Sequence, residues 1–169
     1  VMVGGDVAAL SRAEPALRAY AAQITHLGSS GAGQAAKLCN QIIVSTTVAA
    51  IAEALVFAER NGIDATRLPQ ALAGGWADSK PLQVFVPRML QAQPESIGAL
   101  STMLKDVDTA LAVARDADAP LLVTACVQQQ LRMASAIGLG AAELSALIGL
   151  FDADRREAFL RQVSGMTSP

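Results

Sequence analysis

Lys37, Asn40 and Gln41 are the residues whose types and spacing could do chemistry together. At i, i+3 and i+4 they share one face of any helix that contains them. They open the least polar segment of the chain, just after Gly31 and Gly33. An amine near a helix N-terminus meets the positive end of the helix dipole, and partial burial, expected in such surroundings, acts in the same direction; both favour the neutral amine. A lysine placed in this way can exchange a proton at neutral pH. Asn40 and Gln41 each donate and accept hydrogen bonds and could hold a hydroxyl or a carboxylate beside it. Spacing alone leaves a plainer reading open, in which Lys37 snorkels from a helix edge and the two amides cap neighbouring chain. Gly31 and Gly33 do not complete a dinucleotide fingerprint: the strand before them is poor, and no acidic residue follows at the required distance.

The elements that must position this face are helical. The segment from about Ala32 to Asn61 has no proline, and no glycine after Gly33, and Gly62 supplies a C-cap behind Arg60. Its apolar residues surround much of the helix, so it belongs at the centre of a bundle. Upstream, Val1 to Val3 reads as the end of a strand with a glycine turn after it, which implies that the sequence begins inside a larger protein. Asp6 can cap a helix at Val7, which Pro15 should kink or divide, the second part running from Glu14 to about Gln23. Thr25 to Leu27 form an extended link into the flexible joint of Gly28 to Gly33. Downstream helices are expected over Thr66–Ala73, capped by Asp64, and from Ser79 toward Leu90, with a kink or early stop at Pro87. Pro94 starts another break. Further helices are expected over Ile97–Asp116, from Pro120 to near Gly138, and over Ala141–Ile148 and Ala153–Gln162.

Composition narrows the function classes. The chain has 169 residues, 52% of them hydrophobic, with few aromatics, much alanine and a formal net charge of −2. Alanine favours helix, and the scarcity of aromatic and β-branched residues disfavours a β-sandwich. No basic stretch offers a surface for a phosphate backbone, so nucleic acid is not an expected partner. Asn40, Gln41, Ser45, Thr46, Thr47 and Glu53 interrupt the most apolar run and argue against a membrane span. With no secretory signal, a soluble cytoplasmic protein is expected. Cys39 and Cys126 match no metal spacing and read as free buried thiols, Cys39 as a small core residue. With one histidine, His26, no histidine metal cluster can form. His26 itself reads as structural. Met89, Met103 and Met133 read as core, and Trp76 as closing a pocket or packing over a helix crossing. Glu53 reads either as a buried, partnered carboxylate or as solvent-facing.

The run Gly31-Ala32-Gly33-Gln34-Ala35-Ala36-Lys37-Leu38-Cys39-Asn40-Gln41 resembles the catalytic-helix signature of the β-hydroxyacid dehydrogenases. That family includes 3-hydroxyisobutyrate dehydrogenase, tartronate semialdehyde reductase and, more distantly, 6-phosphogluconate dehydrogenase. Further matches follow in order: Glu53-Ala54-Leu55 with Gly62-Ile63-Asp64, Gly74-Gly75-Trp76-Ala77-Asp78-Ser79, Lys105-Asp106, and Pro120-Leu121. Val1 to Asp6 resembles the last strand and turn of the family's nucleotide-binding domain.

The resemblance implies an all-α, multi-helical C-terminal domain of the 6-phosphogluconate dehydrogenase-like superfamily, built around a long central helix. It implies residues 1–28 as a remnant of an upstream Rossmann domain, 29–163 as the helical catalytic and dimerisation domain, and 164–169 as a frayed tail. Lys37 would be the general acid/base, with Asn40 and Gln41 binding a small hydroxyacid substrate. In some members the asparagine stands at the position of Gln41. Lys105 would lie near the nicotinamide of NAD or NADP, and Asp106 would hold that region. The rest of the cofactor would be bound by the upstream domain. Gly98, with Ile97 beside it, stands where the family usually carries a phenylalanine at the active-site wall. Members assemble as homodimers or homotetramers through this domain. The exposed apolar faces expected on the segments 37–57 and 121–137 point the same way. A non-catalytic helical interaction or dimerisation module is the alternative.

Overall fold

The structure, a computed structural model, describes residues 1–91 and 97–166. Two short strands, β1 (Met2–Val3) and β2 (Thr25–His26), pair in parallel on either side of α1 (Val7–Leu17). The helices α2 (Ala32–Arg60), α3 (Leu68–Leu72), α4 (Lys80–Gln91), α5 (Leu100–Asp116), α6 (Leu122–Ala136) and α7 (Ala153–Met166) make up most of the rest, with 3-10 turns at Ala65–Arg67, Leu139–Ala141 and Leu144–Leu150. The architecture is all-α around a central helix, as the sequence implies.

α2 runs for 29 residues because nothing in it breaks the ladder. Its hydroxyl groups bond within the helix: Thr46 Oγ1 donates to the Ile42 carbonyl at 2.8 Å and Thr47 Oγ1 to that of Ile43 at 2.7 Å. Polar side chains can thus sit in a central helix without an unmet donor. The helix stops where Gly62 takes φ +72°. There the Gly62 amide bonds the Glu59 carbonyl and the Ile63 amide reaches that of Ala58 at 2.9 Å, a Schellman ending. α2 is long and apolar enough to cross a membrane by length and composition, with a mean hydropathy of 1.8 in its most apolar window. Here its second half is the hub of the core. Val48, Ala52 and Leu55 pack with Val86 and Met89 of α4, Val107 of α5, Leu131 of α6 and Phe159 of α7.

Several local expectations are corrected. α1 continues through Pro15 and ends at Leu17, short of Gln23; it buries no residue that would hold a further turn. Pro87 does not stop α4, which continues to Gln91. Interior proline costs about 3 kcal/mol. Burial of Leu82, Phe85, Val86 and Met89, each worth roughly 1.5–3 kcal/mol, outweighs it. α5 starts at Leu100 rather than Ile97. The helix expected over Ala141–Ile148 is instead two 3-10 turns. Backbone pairing explains this: the Leu100 amide donates to the Ala142 carbonyl at 2.8 Å and the Leu144 amide to that of Gly98 at 3.1 Å, holding Ala142 and Glu143 extended between the two turns. α7 extends past Gln162 to Met166, into the expected tail. The break at Pro94 and the end of the tail, 167–169, lie outside the described residues.

Candidate active site

Close approach of backbone sets the N-terminal end of α2. A Cβ on Gly33 would lie 2.7 Å from the Met2 carbonyl oxygen, and one on Gly4 would lie 2.5 Å from that of Ser29. Only glycine lets β1 lie directly against the first turn of α2. His26 Nε2 lies 2.8 Å from the Gly5 carbonyl oxygen, which fits its structural reading.

From that turn one face of α2 presents Gln34, Lys37, Gln41 and Val44 in succession. Asn40 Nδ2 donates to Gln41 Oε1 at 3.1 Å. Gln41 Nε2 donates to Asp106 Oδ2 at 2.6 Å, a contact between residues 65 apart in sequence. Lys105 Nζ lies 3.1 Å from Asp106 Oδ1. Asp106 is buried, 7% exposed. Burial by itself would raise its pKa. The hydrogen bonds from Lys105 and Gln41, together with the charges of Lys105 and Lys37, outweigh this and hold its carboxyl below the usual value of 3.8. Asp106 is therefore an anion that Lys37 feels and that anchors both Gln41 and Lys105.

Four of the five expected site residues, Asn40, Gln41, Lys105 and Asp106, form one hydrogen-bonded chain, and Lys37 lies within electrostatic reach of it. Two details differ from expectation. Lys37 is exposed rather than partly buried, because none of residues 32–44 of α2 is buried. It is also the sixth residue of the helix, beyond the first turn where the dipole acts most strongly. Gln41 and Asn40 are not both open to a ligand: the Gln41 amide is already turned to Asp106.

Two cavities flank this face. One, of about 390 Å³, lies between β1 and α2 and is lined by Met2, Gly4, Gly31, Gln34 and Lys37 among others. The second, of about 270 Å³, is bounded by Gln41 and Val44 of α2, Phe85 of α4, Thr102 and Met103 of α5, Leu144, and the Ile97–Ala99 segment. Gly98 and Ile97 line a wall beside the polar row and bring no aromatic ring to it; the ring in this cavity is that of Phe85 of α4. Gln34 and Val44 were missed in the sequence, although extending the helical row by three residues before Lys37 and seven after it finds both. Arg88 and Glu143 were also missed. Arg88 Nη1 meets Glu143 Oε2 at 3.2 Å in a largely buried ion pair, to which Ser145 Oγ adds a bond at 3.1 Å. No local signal links residues 55 positions apart.

Other singled-out residues are placed differently. Cys39 and Cys126 are exposed, not buried; Cys39 falls in the half of α2 that has no buried residue. Met89 is fully buried and Met103 packs against the core, but Met133 is exposed. Trp76 is fully exposed at 108% and neither closes a pocket nor covers a crossing. Its turn is closed instead by Asp78, which accepts from the Gly74 amide at 2.7 Å and from Gln83 at 2.7 Å. Glu53 faces solvent, where it accepts from Gln130 at 3.0 Å. Among the described residues no group of three or more His, Cys, Asp or Glu is placed to hold a metal ion.

Residues 31–151 match the family described as "NAD-binding of NADP-dependent 3-hydroxyisobutyrate dehydrogenase". The chain is 36% identical over 148 residues to the 2-hydroxy-3-oxopropionate reductase of Escherichia coli, covering 88% of this chain and 51% of the relative. It is 40% identical over 130 residues to a probable 3-hydroxyisobutyrate dehydrogenase of Mycobacterium tuberculosis, covering 71% of this chain and 44% of that one. The solved structure of Mycobacterium tuberculosis 3-hydroxyisobutyrate dehydrogenase with L-serine superposes with a TM-score of 0.81 at 28% identity, covering 89% of this chain and 54% of the other. The chain spans about half the length of the curated relatives it matches.

Proposed function

This chain belongs to the 3-hydroxyisobutyrate dehydrogenase-like family of β-hydroxyacid dehydrogenases, and from that premise we propose that it is the C-terminal, all-helical part of an NAD(P)-dependent oxidoreductase acting on a small β-hydroxyacid or its semialdehyde. The observation that carries this reading is the network joining Asn40, Gln41, Asp106 and Lys105, with Lys37 beside it.

A bound nicotinamide would supply or accept the hydride at the substrate carbon. Lys37 gives a proton to the carbonyl oxygen during reduction and takes it back from the hydroxyl during oxidation. Its exposure lets solvent restore the proton between turnovers. Asn40 orients the oxygen, and Gln41, held by Asp106, accepts from Asn40 so that both rotamers are set before substrate arrives. Two lysines face one carboxylate here, leaving a net charge of +1 that suits an acid substrate. The first cavity has Lys37 on its wall and open glycine backbone at Gly31, where an added Cβ would meet nothing within 4 Å. These residues fit the reactive end of a dinucleotide. They offer no phosphate-binding loop for the rest, which we assign to an upstream domain, with residues 1–28 belonging to its end and 29–163 forming the catalytic domain. A protein joining this chain to such a domain should bind NADH or NADPH and oxidise it with small aldehyde acids, while the isolated chain should show no turnover. Failure to bind either cofactor would favour the non-catalytic interaction module. Turnover by the isolated chain would contradict the division of labour.

We also propose assembly as a homodimer or homotetramer. Ile43 and Phe57 of α2 and Leu122 and Val123 of α6 are all exposed, which supports it. Sedimentation equilibrium at micromolar concentration should give at least the dimer mass; the monomer mass throughout the concentration range would refute it.

A further inference from the structure

The second cavity begins where the polar row ends. Gln41 belongs to both: its amide nitrogen holds Asp106, and its side chain forms part of the cavity wall. The rest of the wall is mostly apolar. Val44, Phe85, Met103 and Leu144 contribute hydrocarbon or thioether, and Thr102 adds a single hydroxyl. Gly98 keeps the side next to α5 open. Its φ of +153° is one that side-chain-bearing residues rarely adopt, and an added Cβ there would meet nothing within 4 Å. At about 30 Å³ per molecule of liquid water, about 270 Å³ is room for roughly nine waters. A methyl or hydroxymethyl group would leave most of that space wet.

We propose that this cavity is a subsite for an apolar substituent of the substrate, so that the preferred acid carries a branched alkyl or aryl group of about four to seven carbons. The proposal rests on the dehydrogenase reading for the position of the acid's polar end. That end would sit at Lys37 and Asn40, and the substituent would pass over Gln41 into the cavity. Each methylene taken from water is worth roughly fourfold in affinity, so a filled cavity separates long acids from short ones strongly.

The test can be made on this chain alone, by following backbone amide shifts of Ala99, Thr102 and Met103 during titration with 4-methylpentanoate and with acetate. The wild-type chain should bind 4-methylpentanoate at least tenfold more tightly than acetate. Thr102→Phe, which fills the cavity from an exposed position on α5, should bring that ratio close to one, and the smaller Thr102→Leu should give an intermediate value. Equal affinities in the wild type, no binding of 4-methylpentanoate, or a ratio that ignores both substitutions in folded protein would overturn the subsite. Failure of the dehydrogenase reading gives a different result: the tenfold ratio persists in this chain, while the protein with its upstream domain turns over neither short nor long hydroxyacids.

Discussion

The two halves of α2 differ in burial and in what they carry. From Ala32 to Val44 no residue is buried, and this half carries Lys37, Asn40 and Gln41. From Ser45 to Ala58, seven residues are buried, and α4, α5, α6, α7 and the three 3-10 turns all contribute to the core around them. One helix thus serves as a packing post at one end and presents chemistry at the other. The difference teaches why the lysine can be positioned without being enclosed: the rigid half lies in the core, and the ladder transmits its orientation to the open half.

The contrast can be broken by substitution. Leu55→Ala should lower stability by about 2–5 kcal/mol, because it empties a core position that neighbours cannot refill. Lys37→Ala, on the same helix, should change stability by no more than about 0.5 kcal/mol. Urea unfolding of the two variants gives both numbers, and similar losses would end the division of α2 into two roles.

A smaller effect sharpens the comparison at the seam between the halves, where Asp106 of α5 holds Gln41. The folded carboxyl titrates below the usual 3.8, with burial opposing and the Lys105 and Gln41 hydrogen bonds and the lysine charges prevailing. A depressed carboxylate contributes stability above its unfolded pKa and loses it as pH falls through the folded value. Asp106→Asn should therefore be less stable than the wild type at pH 7, with the gap closing as the pH falls below the usual carboxyl value of 3.8. A gap of constant size over that fall in pH would show that the charge of Asp106 is not what anchors the seam.

Much of this was legible beforehand, for physical reasons. The limits of α2 follow from the absence of breakers and from Gly62, and the shared face of Lys37, Asn40 and Gln41 follows from helical spacing. The bond from Gln41 to Asp106 was not legible from periodicity, because it joins two helices across 65 residues; only the resemblance put both in one site. Burial was the least legible property. Cys39, Trp76 and Met133 have core-like side chains yet are exposed, since residue type alone does not say which face of a helix or turn has a neighbour. Pro87 misled in the other direction, because its local cost was outweighed by packing of α4 that only the tertiary structure reveals.

The central claim is that Lys37 moves the proton. The most direct test is Lys37→Ala in a protein that joins this chain to its nucleotide-binding domain, with kcat for reduction of a small aldehyde acid, cofactor affinity and thermal midpoint measured together. The account predicts a loss in kcat of about 10²–10⁴-fold, the range expected for removal of a general acid, with cofactor affinity and midpoint unchanged. A wild-type kcat in the variant would contradict it.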